Sequence, residues 1–219
     1  GRLPERINRT KYSLWSDLCR EELFKFISGN GNKNAILDLL MGKLDSQNLF
    51  PWQSVNYLES HDDYAFIDRL CSPKEWQNGT PPMHTIKKAK LAIAILLLSP
   101  GIPMLASGQD FLKSKKGVRN TYQRGDLNAL DYSSLDKFQC VHEWVKKLIS
   151  FRISEDAKVI CLKNYLPEDH YVVIDGPSNS FGLIIYECKR RLKDKSIVIF
   201  VNANDNEINF ELPDNQSLY

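Results

Sequence analysis

The sequence predicts an α/β fold in which a parallel sheet with helical crossovers is followed by an antiparallel β-rich segment. Three observations carry that expectation. Short apolar runs at 12–15, 55–58 and 102–107 are each followed by a polar loop and then a helical stretch. Strand-then-helix units in succession imply parallel strands joined by crossovers. Beyond about residue 160 the texture changes to β-rich runs punctuated by turn formers, which reads as an antiparallel sheet or sandwich.

In chain order, YSLW (12–15) reads as a strand, and Ser16 stands where it can cap a helix with apolar positions at Leu18, Leu23, Phe24 and Ile27 before Gly29. A Gly/Asn-rich loop precedes a second helical stretch, Ala35 to Lys43. VNYL (55–58) reads as a strand that ends in His61, Asp62 and Asp63, and a long helix follows over about Thr85 to Leu98. IPMLAS (102–107) is a short, proline-punctuated run, and Leu135 to Arg152 carries apolar residues at helical spacing. HYVVIDG, SFGLIIYE, SIVIFVNAN and EINFELP supply the later β runs, with a domain boundary expected between 1–164 and 165–219.

Composition excludes several classes. The 219 residues are 42% hydrophobic and 26% charged, ordinary for a globular chain, and the net charge of +2 leaves no broad nucleic-acid footprint. The basic runs Lys113 to Lys116 and Lys189 to Lys195 read as solvated loops. The apolar stretch from Ala89 to Leu105 is broken by Pro100, Gly101 and Pro103 and is too short to span a membrane. Five dispersed cysteines, none in a CxxC pair, suggest neither a zinc site nor a disulfide framework and favour reduced thiols, as in the cytoplasm. Neither a metal nor another cofactor is expected.

Three motifs point to a family. VNYLESHDD, LLLSPGIPMLASGQDF and RNTYQRGDLNALDY stand in order, and LWSDLCREELFKFISG precedes them. Together they resemble the later part of the α-amylase family of glycoside hydrolases, in particular its pullulanase and isoamylase-like debranching branch. The resemblance equates these stretches with the seventh strand end, the seventh helix running into the eighth strand, the loop after strand eight, and the sixth strand and helix. Ser16, Asp17 and Arg20 stand where that family often carries Asn-Asp-x-x-Arg, Tyr132 replaces its usual Trp, and Gln109 replaces a frequent Glu.

The implied fold is the C-terminal part of a (β/α)8 TIM barrel, about strands six to eight, followed by a β-sandwich domain. By the same resemblance Asp62 is the auxiliary catalytic carboxylate, His61 binds a hydroxyl of the same sugar, and Tyr122, Arg124 and Asp126 touch outer sugars. A satisfied core histidine is the bland alternative for His61, and a purely structural loop the alternative for the last three. Asp63 reads as a loop or capping residue, Glu59 as an ion-pair partner, and Trp52, Tyr57 and Trp76 as core aromatics or sugar-stacking platforms.

The family's nucleophilic Asp and general-acid Glu have no matching motif in the sequence. The implied partners are therefore an α-glucan and a missing N-terminal barrel half, without which the chain is expected to be inactive. An α-1,4-acting amylase or a branching transferase would use the same machinery. Two other classes stay open: a noncatalytic carbohydrate-binding module, and an HD-type metal phosphohydrolase in which His84, His142 or His170 joins His61.

Overall fold

A computed structural model describes residue 7 and residues 10–44, 50–161, 166–187 and 195–212. The three expected parallel strands form, as β1 (Leu14–Ser16), β2 (Ser54–Tyr57) and β3 (Ile102–Met104), and they pair in the order β1-β2-β3. Trp15 lies opposite Val55, which lies opposite Ile102, and Tyr57 lies opposite Met104. Because strand side chains alternate between faces, these five residues share one face of the sheet.

Helices α1 (Asp17–Ile27) and α2 (Lys33–Leu40) connect β1 to β2, and α3 (Phe66–Leu70) and α4 (Met83–Leu98) connect β2 to β3. After β3 come α5 (Gly125–Asn128), α6 (Ser133–Lys137) and α7 (Gln139–Arg152). α1 packs on β2 and α4, and α4 packs on α7, so the crossover helices form a layer beside the sheet.

Local chemistry explains the boundaries. The Ser16 hydroxyl accepts the Cys19 N–H at 3.1 Å, satisfying one of the donors that a helix start leaves free. The buried stripe of α1 is Cys19, Leu23, Phe26 and Ile27, whereas Leu18 faces solvent, which shifts the expected stripe by one position. At the other end of the layer the Arg152 guanidinium donates to the carbonyls of Leu97, Ser99 and Gly101 at 2.5, 2.8 and 2.8 Å. It thereby satisfies carbonyls that the end of α4 leaves without helical partners. The single helix expected over 135–152 is instead two, because Phe138 leaves helical geometry (φ −110°, ψ 28°) to place its ring in the core.

The antiparallel sheet has the order β4-β5-β6, with β4 Tyr171–Asp175, β5 Ser180–Tyr186 and β6 Ser196–Asn202. All seven residues of the central strand β5 are buried. Among the described residues this is one sheet where a two-sheet sandwich was expected: residues 207–212, read as a strand, form none. The inner face packs on α2 and on a 3-10 turn at Glu155–Ile160, so its second layer is helical, while the Phe210 ring stacks on Phe200 at 4.9 Å on the outer side. Phe181, Leu183, Ile185, Ile199 and Val201 join the same core as Phe26, Ile36 and Ile93, with the Phe26 and Phe181 rings 6.3 Å apart. The expected boundary between residues 164 and 165 falls outside the described residues, as does the basic run 189–194.

Candidate functional site

Parallel α/β folds place their chemistry beyond the carboxyl ends of the strands, where loops converge and backbone dipoles are not paired along the sheet. In this chain β1 ends at Ser16, β2 runs into Leu58-Glu59-Ser60-His61-Asp62-Asp63, and β3 runs into the loop 105–124. Between these ends lies a cleft of about 390 Å³ bordered by Trp15, Glu59, His61, Met104, Lys113 and Lys115.

His61 and Asp62 both stand out of the surface, 73% and 69% exposed at the side chain, with His61 Nε2 3.5 Å from Asp62 Oδ2. The Trp15 ring meets the His61 ring edge-on at 5.9 Å and the Tyr57 ring at 5.5 Å. A flat indole and an imidazole thus share one rim, with a carboxylate next to the imidazole. The indole offers an apolar face for a sugar ring, the imidazole a hydrogen bond, and the carboxylate a negative charge toward any cation developing there.

The other acids of the loop are engaged elsewhere. Asp63 sits in the left-handed region (φ +58°), and its carboxylate accepts from Arg119 Nε at 2.8 Å and from the Tyr64 N–H at 3.0 Å. Asp63 caps no helix; it ties the loop after β2 to the loop after β3, its N–H donating to the Asn120 side chain at 2.9 Å. Glu59 is buried, accepts the Phe66 N–H at the start of α3, and forms no ion pair within 4 Å among the described residues. Burial pushes its carboxyl up to about 7, against the opposing pull of the Phe66 N–H and of Lys115. Of the three acids, only Asp62 presents its carboxylate to solvent beside His61.

The structure does not bring every predicted residue to this cleft. Tyr122 is 77% exposed in the loop after β3, and Arg124 and Asp126 pair with each other at 2.9 and 2.7 Å. Asp126 borders a neighbouring cleft of about 490 Å³ with Trp76, Lys116 and Lys137. Trp76 and Trp52 are half-buried, Trp76 packing against the core, and neither lines the His61 cleft. Gln109 is buried and its side-chain oxygen accepts the Ala106 N–H at 3.1 Å, bracing the turn after β3. Tyr57 is also structural: its hydroxyl bonds Asp17, Arg20 lies 5.4 Å over its ring, and its phenol is pushed up to about 12 by burial and then by that hydrogen bond.

Two residues were not singled out from the sequence. Trp15 reads only as part of the strand YSLW, and alternation puts it on the open face, where it is 48% exposed. Lys115 belongs to the run 113–116 expected to be a solvated loop, yet it is only 6% exposed; its ammonium is turned inward because three carbonyls converge on it. A run of lysines carries no sequence signal that separates its one buried member.

The histidines needed for an HD-type metal site are dispersed. His142 Nδ1 pairs with Asp110 at 2.7 Å on the α7 side, and His170 bonds the Tyr186 carbonyl at 3.1 Å in the antiparallel sheet. Among the described residues no group of three or more His, Cys, Asp or Glu side chains is placed to hold a metal ion, and no helix is long and apolar enough to cross a membrane.

No family model matches the chain. It is 29% identical over 164 residues to a pullulanase of Bacillus subtilis, covering 74% of this chain and 22% of that protein. It is also 29% identical over 178 residues to an isoamylase of a Flavobacterium species, covering 67% of this chain and 22% of the relative. The crystal structure of the type I pullulanase of Bacillus subtilis complexed with maltose superposes with a TM-score of 0.72 at 25% identity, over 87% of this chain and 28% of that one. The chain therefore spans about a fifth of the length of the curated relatives it matches.

Proposed function

We propose, from the premise that the chain resembles a portion of the debranching branch of the α-amylase family, that it forms the end of a (β/α)8 barrel in a retaining α-glucan hydrolase. On this reading β1, β2 and β3 are strands six to eight, residues 165–219 are the terminal β domain, and the bond cleaved is the α-1,6 branch of starch, glycogen or pullulan. The earlier strands supply the nucleophile and the acid, which retaining glycosidases hold about 5 to 5.5 Å apart. The 219-residue chain alone is then inactive.

The observation that carries this reading is the placement of His61 at the carboxyl end of β2, beside Trp15 on the border of the cleft, with the exposed Asp62 carboxylate 3.5 Å from its ring. Glycoside cleavage passes through an oxocarbenium-like state, so an exposed carboxylate at the sugar favours the transition state over the neutral substrate. His61 fixes the same ring by hydrogen bonding to a hydroxyl. Tyr122, Arg124 and Asp126 contact sugars further along the chain. A further support is the open face of the parallel sheet. Trp15 and Ile102 are 48% and 44% exposed on a surface that a closed barrel would fill with side chains.

The test is Asp62→Ala in the completed barrel, its earlier strands supplied by the same parent chain or by a second chain, assayed on pullulan and on amylose. Turnover of pullulan is expected to fall by about 10²- to 10³-fold, the range for removing one electrostatic contact to a transition state, with folding retained. Turnover at the unmodified rate would refute the role of Asp62. Greater activity on amylose than on pullulan would instead assign α-1,4 cleavage.

A further inference from the structure

We propose that Lys115 is a positioning residue whose buried ammonium clamps the loop 60–63 and so fixes where His61 stands on the cleft border and where Asp62 stands beside it. The inference deepens the glycosidase reading of that site and rests on it for its catalytic meaning, but its geometry is independent of any substrate.

Lys115 Nζ donates to the carbonyls of Ser60 at 3.2 Å, His61 at 3.0 Å and Asp63 at 3.2 Å. An ammonium has three N–H donors and no acceptor, so three carbonyls complete its hydrogen bonding.

The other ties gather at the Asp63 end, where its carboxylate accepts from Arg119 and its carbonyl from the Asn120 N–H at 3.3 Å. Asp62 N–H reaches the Ser60 hydroxyl at 3.3 Å, and Asp63 N–H reaches Asn120. The side chains of His61 and Asp62 are exposed, with the His61 ring held only along the edge it presents to Trp15. The clamp itself is anchored: the Asp68 carboxylate on α3 accepts from the Ser114 hydroxyl at 2.6 Å, the Lys115 N–H at 2.7 Å and the Gly117 N–H at 3.2 Å. Order therefore runs from α3 through 114–117 to the Lys115 side chain and on to the His61 loop. Burial lowers the Lys115 pKa while the nearby Glu59 opposes that effect.

The experiment uses the isotope-labelled 219-residue chain by NMR. In the unmodified chain the Lys115 ammonium is expected to give a resolved signal with slowed proton exchange, unlike exposed lysines. In Lys115→Met the Asp62 and Asp63 amides are expected to exchange at least about ten-fold faster, while β5 amides keep their protection. The His61 ring signal is expected to collapse toward that of a mobile histidine in the same variant.

A freely exchanging ammonium in the unmodified chain would overturn the proposal even if Lys115→Met fails to fold. Unchanged Asp62 and Asp63 exchange in a folded Lys115→Met chain would overturn it as well. No sugar enters these measurements, so the clamp and the glucan reading fail separately: unmodified turnover in Asp62→Ala removes the second and leaves the first.

Discussion

Glu59→Gln isolates the cost of holding an acid in the interior. The carboxyl rises from 4.5 to about 7 on folding, burial being the largest cause. Below pH about 4.5 it is protonated in both states and burial is tolerated. As pH rises toward 7 the unfolded chain ionises first, so the unfolded state binds fewer protons and stability falls. At about 1.4 kcal/mol for each factor of ten in proton affinity, the contribution lost by pH 8 is about 3 kcal/mol. Glutamine keeps an oxygen for the Phe66 N–H and cannot ionise, so any constant packing cost is the same at both ends of the pH range. Urea unfolding of both proteins, followed by tryptophan fluorescence at pH 4 and at pH 8, gives the difference directly, because every other carboxylate cancels between them. The gap between variant and parent is expected to move by about 3 kcal/mol in favour of the variant on going from pH 4 to pH 8. Parallel pH profiles for the two proteins would refute the burial argument.

Two further substitutions test the framework around β3. Gly101→Ala is expected to destabilise the chain by about 1–3 kcal/mol in thermal unfolding, since φ is +107° and the new Cβ would lie 2.9 Å from both Asn56 Nδ2 and the Ser54 carbonyl oxygen. An unchanged midpoint would mean that the backbone there relaxes without loss. Arg152→Met is expected to cost about 2–4 kcal/mol in urea unfolding, because the Leu97, Ser99 and Gly101 carbonyls all lose a charged donor. A loss below about 0.5 kcal/mol, the scatter of surface substitutions, would show that water replaces the guanidinium.

What the sequence revealed depended on how local each signal was. The cap at Ser16 and the run from Met83 to Leu98 rest on neighbours a few residues away, and both appear within two residues of expectation. The break at Phe138 was hidden because Phe138, Val141 and Val145 keep helical spacing across it. EINFELP alternates like a strand, but a strand exists only where another offers its backbone, and none of the described residues pairs with it. At the site, His61 and Asp62 were legible as polar residues ending an apolar run. Trp15 and Lys115 were not, since each is defined by residues about 40 to 55 positions away.

Phe26 on α1 and Phe181 on β5 lie more than 150 positions apart yet share one interior. Exchange of the terminal sheet between related genes would therefore have to carry a matching helical surface with it. Recombination that respected only the order of segments would leave unmatched rings where these two now meet. The packed faces of α1 and β5 are bound to drift together, each limiting the substitutions that the other can accept.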